Sequence, residues 1–268
     1  MTTDTIPDFQ TPRAAQCPFD PPPARRGLAT VSRVRIWDGS TPWLISGYEE
    51  QRAVLSDPRI SSDVRIEGFP HTSPATKAST QRSRPFVVMD DREHDVLRRM
   101  LTKNFMIKRV EAMRPHVQQI VDGLIDDMLA GPKPVDLVEA FALPVPSLVI
   151  CELLGVPYAD HDFFQRSSKK LASLDTHADD ALATGNELRQ YLLRLVDAKN
   201  ADPGDDMISR LVVEQLRTGS LTRDEIATIG IVMLGGGHET TANMIGLGTL
   251  ALLRNPDQPK SGRPTIPS

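Results

Sequence analysis

Between Ile229 and Leu253 the chain is almost entirely apolar, except for Gly235-Gly236-Gly237-His238-Glu239-Thr240-Thr241. A run apolar on every side reads as a buried helix, yet each glycine in a helix interior costs about 1 kcal/mol relative to alanine. Three in succession need an offset. Glycine removes Cβ, so the expected compensation is a flat group lying against the backbone, with Glu239 and Thr240 just downstream placed to act on it. Thr240 can bond back to the Gly236 carbonyl one turn earlier and open a local distortion, beside which an acid and a hydroxyl make a proton relay. The plainer alternative is a glutamate that reaches a salt bridge and two threonines that only pack. The run is long enough to span a bilayer, but Glu239 and His238 sit at its centre and no basic flank marks an edge, which favours a buried helix.

Other chemistries fail on spacing. His238-Glu239 begins a zinc-protease motif, but Ala242 stands where the second histidine belongs. The glycines lie inside a helical pattern with no Lys-Ser/Thr after them, so they are not a phosphate loop. Cys17 and Cys151 are far apart and lack CxxC spacing, which argues against a disulfide framework or structural zinc. His71, His116, His161 and His177 are scattered without ligand spacing, so no metal site is expected. A net charge of −4 without basic blocks favours no nucleic acid partner. The polar opening residues carry no secretory or anchor pattern, so a cytoplasmic protein without membrane association is expected.

In chain order, residues 1–28 are too proline-rich for helix or central strand and are expected to form an arm. Residues 31–46 alternate, with Val31, Arg33, Arg35 and Trp37 opposing Ser32, Val34 and Ile36, and Asp38-Gly39 marks a hairpin before Trp43-Leu44-Ile45. A short helix spans Tyr48 to Leu55. Val64 to Arg84 mixes glycine, proline, serine and threonine without period and reads as a long loop. Beyond Asp90 the pattern is helical: Arg92 to Phe105, Lys108 to Ala130, Val145 to Leu154, Asp160 to Leu174, Asp179 to Lys199 and Asp205 to Leu216. The seventh helix is the glycine-bearing one over 222–254, entered through Thr222 as cap with Glu225 three residues on. Residues 255–268 carry four prolines and no period, and read as a non-native tail.

His94 and Arg98 lie four apart on the Arg92 to Phe105 helix and share a face, where they could grip one anionic group. Their charged neighbours Arg92, Glu93, Asp95 and Arg99 equally suit a solvated face. Taken with the glycine helix, the segment Met89-Asp90-Asp91-Arg92-Glu93-His94-Asp95-Val96-Leu97-Arg98-Arg99 resembles the MDPPEHTRLRR stretch of bacterial cytochromes P450. Gly236-Gly237-His238-Glu239-Thr240-Thr241 is similar to that family's AGHETT, with glycine for the usual alanine. The resemblance runs from Cys17-Pro18-Phe19 through Leu253 and implies a mainly α haem-thiolate monooxygenase fold with a small N-terminal hairpin, one domain over 1–254. It implies haem b, with His94 and Arg98 on the propionates, Gly236 and Gly237 admitting dioxygen and substrate, and Glu239 with Thr240 delivering protons. It also implies a small organic substrate, shaped for by the 64–88 loop and the Asp160 to Lys199 helices, and a ferredoxin-type electron donor. The family's axial cysteine lies in a FGxGxHxCxG loop after an ExxR helix, and neither pattern occurs in context here. The chain is therefore expected to be a truncated form, inactive alone. The alternative of another class is a non-enzymatic helical protein holding a flat apolar ligand or a partner helix.

Overall fold

The structure is a computed structural model and describes residues 6–10, 19–82, 84–172 and 178–257. Cys17, His177 and the tail beyond Asp257 lie outside the described residues. The chain divides into two compact parts, residues 1–98 and 99–268.

In the first part, β1 (Val31–Arg33) pairs antiparallel with β2 (Trp43–Ile45), Val31 opposite Ile45 and Arg33 opposite Trp43. The expected alternation is present, with Val34 and Ile36 buried while Val31, Arg35 and Trp37 face out. The chain reverses at Asp38-Gly39: Gly39 takes φ +83°, and the Ser40 amide donates to Asp38 Oδ1 at 2.9 Å.

Two stretches of this part differ from expectation. The proline-rich opening contains one helical turn, α1 (Pro23–Arg26), because the fixed φ of proline suits the first helical position. α2 (Tyr48–Ser56) follows as expected. Within the supposed long loop lies α3 (Pro74–Arg82). The serine and threonine content that argued for a loop serves the helix instead. Ser73 Oγ accepts from the Thr76 amide at 3.1 Å as a cap, and Thr80 Oγ donates back to the Thr76 carbonyl at 2.9 Å. The division after Arg98 falls within α4 (Asp91–Thr102), which is followed by a 3₁₀ turn, Lys103–Phe105.

That second part is helical: α5 (Ile107–Ala130), α6 (Pro144–Leu154), α7 (His161–Ala172), α8 (Ala178–Ala201), α9 (Met207–Leu211) and α10 (Arg223–Arg254). Single π-helical turns precede α6 at Val138–Ala142 and follow α9 at Val212–Leu216. The core forms where α10 packs on α6 and α8, around fully buried Leu154, Leu188, Leu192, Val196 and Ile226. Burying each such side chain contributes about 1.5–3 kcal/mol. α5 carries its stripe of Met113, Val117, Ile120 and Leu124 only half-buried.

A polar clamp closes the far end of this core. Gly155 ends α6 at φ +78°, and a Cβ there would stand 2.1 Å from the Asp206 carboxyl carbon. Asp206 in turn caps α9, accepting from the Ser209 amide at 2.8 Å, and pairs with Lys199 Nζ at 2.8 Å. Among the described residues no helix is long and apolar enough to cross a membrane.

Candidate active site

α10 is one unbroken helix through all its glycines, and its entry is the expected capping box, in which Thr222 Oγ accepts from the Glu225 amide at 3.2 Å while Glu225 accepts from the Thr222 amide at 2.7 Å. Thr240 Oγ donates to the Gly236 carbonyl at 2.6 Å, the back-bond anticipated from spacing. The distortion expected from that bond does not break the helix, because the buried side of α10 is fixed by its neighbours. Ile226, Gly230, Leu234, His238 and Ala242 recur every fourth residue and are buried.

The other side is open. Gly235, Gly236, Glu239, Thr240 and Asn243 are exposed, which corrects the reading of a helix buried all round and of a carboxylate held in its interior. The three glycines divide accordingly. A methyl at Gly235 or Gly236 would meet nothing within 4 Å, whereas one at Gly237 would stand 3.0 Å from Ile150 Cδ1 on α6. Gly237 thus allows close helix packing, and Gly236 contributes bare backbone to an open strip bordered by the acid and the alcohol. Thr240 has its proton committed to Gly236 and its lone pairs free to accept.

His238, quoted only as part of a motif, lies at the joint between these sides. It is 2% exposed, with Nε2 buried and unpartnered. Burial lowers its pKa, against the neighbouring Glu239 carboxylate and a hydrogen bond to the Leu143 backbone, both of which favour the charged form.

On α4, His94 is half-buried and Arg98 exposed on the same face. The His94 ring stacks on Phe86 at 6.2 Å between centroids, with Nδ1 3.4 Å from Asp95 Oδ1. The start of this helix is fastened by residues that sequence reasoning missed. Asp90 accepts from Ser61 Oγ and from the Ser62 amide at 2.7 Å, bonds that hold its carboxyl below the usual range. Arg84 spans Glu93 at 2.5 Å and Asp63 at 3.3 Å. Partners this distant in sequence leave no periodic signal. The His94–Arg98 pair belongs to the first compact part and the Gly236–Thr240 strip to the second.

No protein-family model matches the chain. It is 52% identical over 258 residues to cytochrome P450 GfsF of Streptomyces halstedii, covering 95% of this chain and 62% of that protein. It is 53% identical to cytochrome P450 CYP105Q4 of Mycobacterium marinum, covering 96% and 63% respectively. The crystal structure of GfsF superposes with a TM-score of 0.86 over 98% of this chain and 66% of that one. The chain belongs to the cytochrome P450 family. Its mainly α fold with a small N-terminal hairpin is that of P450 structures, and the family implies haem with iron as cofactor. The chain spans somewhat less than two thirds of the length of the curated P450 relatives it matches.

The residues present suit part of a P450 haem site. The bare backbone at Gly236 leaves room for a flat ring, and His94 with Arg98 offers donors for carboxylates on one helix face. The thiolate has no donor among the described residues. Cys151 is 3% exposed on α6, and burial, with the nearby Asp160 charge, pushes its thiol up to about 12.

Proposed function

We propose that these residues supply the propionate-binding helix and the oxygen-side helix of a haem-dependent monooxygenase acting on a small organic substrate. His94 and Arg98 would hold the propionates by charge-assisted hydrogen bonds. Gly236 would keep the α10 backbone clear for the macrocycle face and a small ligand. Thr240 would orient a proton donor through its free lone pairs, with Glu239 exchanging protons with solvent beside it. When bound, haem would supply dioxygen activation. Electrons would come from a ferredoxin-type donor.

The observation that carries this reading is the open Gly235–Gly236 strip flanked by Glu239 and back-bonded Thr240. Haem titration of the chain tests it. Binding should weaken at least tenfold in the His94→Ala, Arg98→Ala double variant, and unchanged affinity would favour the non-enzymatic binding alternative. The reduced, CO-treated chain should lack a thiolate-type Soret band, because Cys151 is protonated and enclosed. Appearance of that band would overturn the exclusion of Cys151.

A further inference from the structure

Among the described residues other than glycine, Asp91 alone has a left-handed backbone, with φ +44°. It is the first residue of α4 and stands three positions before His94. A side-chain-bearing residue stays in that region only where its surroundings over-determine the turn. Two pins do so here. Asp90 accepts from Ser61 Oγ and from the Ser62 amide, and Ser61 Oγ itself accepts from the Asp63 amide at 3.0 Å. Glu93 holds one terminal nitrogen of Arg84, whose other terminal nitrogen reaches Asp63 Oδ2 at 3.3 Å. The Arg84 and Asp63 side chains are only 18% and 13% exposed, so solvent screens this pair less than a surface ion pair. Residues on both sides of Asp91 are thus tied to one short stretch, 61–63.

The consequence falls on His94. Its amide donates to the Asp90 carbonyl at 3.4 Å, and its ring stacks on buried Phe86, with the two planes 24° apart. Each helical residue turns about 100° around the axis, so the bearing of residue 94 follows from how the chain enters the helix at 91. Moving φ of Asp91 from +44° to a helical value near −63° would turn the start of α4 against the pinned stretch and carry His94 off Phe86. The MDPPEHTRLRR stretch has proline at the position of Asp91, and the proline ring confines φ to about −65°. That residue could not make this turn.

We propose that Asp91 is a positioning residue: its left-handed turn, locked through Asp90 and Glu93 onto residues 61–63, fixes where His94 stands and so aims the anion grip on α4. That the anion is a haem propionate rests on the monooxygenase reading. The placement of His94 is read without haem, so the two can fail separately.

The test is NMR of the 268-residue chain at about pH 8.5, above the imidazole range, following the ring C–H signals of His94. Phe86→Leu gives their positions without the Phe86 ring current, and the Trp37 and Trp43 indoles report the fold. Asp91→Gly makes the same turn without strain, so it should keep the parental His94 signals and hold haem affinity within about twofold. Asp91→Pro should move the signals most of the way to their Phe86→Leu positions, with the indoles in place, and weaken haem binding about tenfold. The double variant Ser61→Ala, Arg84→Gln cuts both pins while leaving Asp91 itself, and should move the His94 signals the same way. If the proline variant does not fold, the glycine and pin variants decide. Parental His94 signals in a folded Asp91→Pro or in the pin variant, or displaced signals in Asp91→Gly, would overturn the assignment. Displaced signals with unchanged haem affinity would support the positioning role and count against the propionate reading instead.

Discussion

Replacing Gly236 and Gly237 one at a time by alanine separates the two jobs assigned to the glycine run. Both lie deep inside a 32-residue helix, so each replacement gains the intrinsic helix preference of about 1 kcal/mol. At Gly236 nothing opposes that gain, because the methyl meets no atom within 4 Å. At Gly237 the methyl would come within 3.0 Å of Ile150 Cδ1 and 3.4 Å of its Cγ1, and forced overpacking typically costs about 1–3 kcal/mol. Gly236→Ala should therefore be about 1 kcal/mol more stable than the parent, and Gly237→Ala between neutral and about 2 kcal/mol less stable. Urea unfolding followed by far-UV circular dichroism reads this as a midpoint raised in Gly236→Ala and unchanged or lowered in Gly237→Ala, at constant slope. Equal stabilisation by both variants would refute the α6–α10 contact, and destabilisation by Gly236→Ala would refute the open strip. A companion variant, Gly236→Leu, keeps helix preference but fills the strip. It should retain stability and lose haem affinity, whereas Gly236→Ala, which restores the family's usual residue, should keep both.

Asp206→Ala removes the α9 cap and strands Lys199 in a largely buried clamp, so a loss of about 3 kcal/mol is expected in the same unfolding assay. His238 has a lowered pKa in the folded state, so the unfolded chain binds its proton more tightly. The stability it contributes is full above the unfolded value near 6.5 and is lost as the pH falls below it. His238→Phe should thus gain on the parent between about pH 7 and pH 5, by at most about 1.4 kcal/mol per unit, and parallel pH profiles would contradict this. Cys151, pushed up to about 12, should resist thiol reagents in the native chain at mildly alkaline pH and react only on unfolding, as timed thiol titration would show.

Much of this was legible from local pattern. The alternation of Val34 and Ile36, the Asp38-Gly39 reversal and the Thr222–Glu225 box each depend on residues within a few positions of one another. α3 was missed because Ser73 and Thr80 were weighed as loop composition, when their hydroxyls bond to the helix they belong to. The π-helical turns at Val138–Ala142 and Val212–Leu216 have no side-chain period that sets them apart from α-helix. The Gly236–Thr240 bond could be read from spacing. The different surroundings of Gly236 and Gly237 could not, because only the position of Ile150, some 86 residues earlier, distinguishes them. The left-handed backbone at Asp91 gave no sequence signal, since a residue other than glycine takes it when its surroundings impose it.

Five of the seven buried residues of α10, from Ile226 to Ala242, recur every fourth position, while the helix turns every 3.6. Each step therefore advances about 40° around the axis, and from Ile226 to Ala242 the supported side winds through about 160°. Ile226 and Met244 are 18 residues apart, a whole number of turns, and point the same way. Yet Ile226 is fully buried and Met244 is 72% exposed. A straight stripe would have left one flank polar from end to end. Here the buried arc shifts along the axis, so covered residues occupy more bearings over the whole helix than at any one level, where a bare side remains.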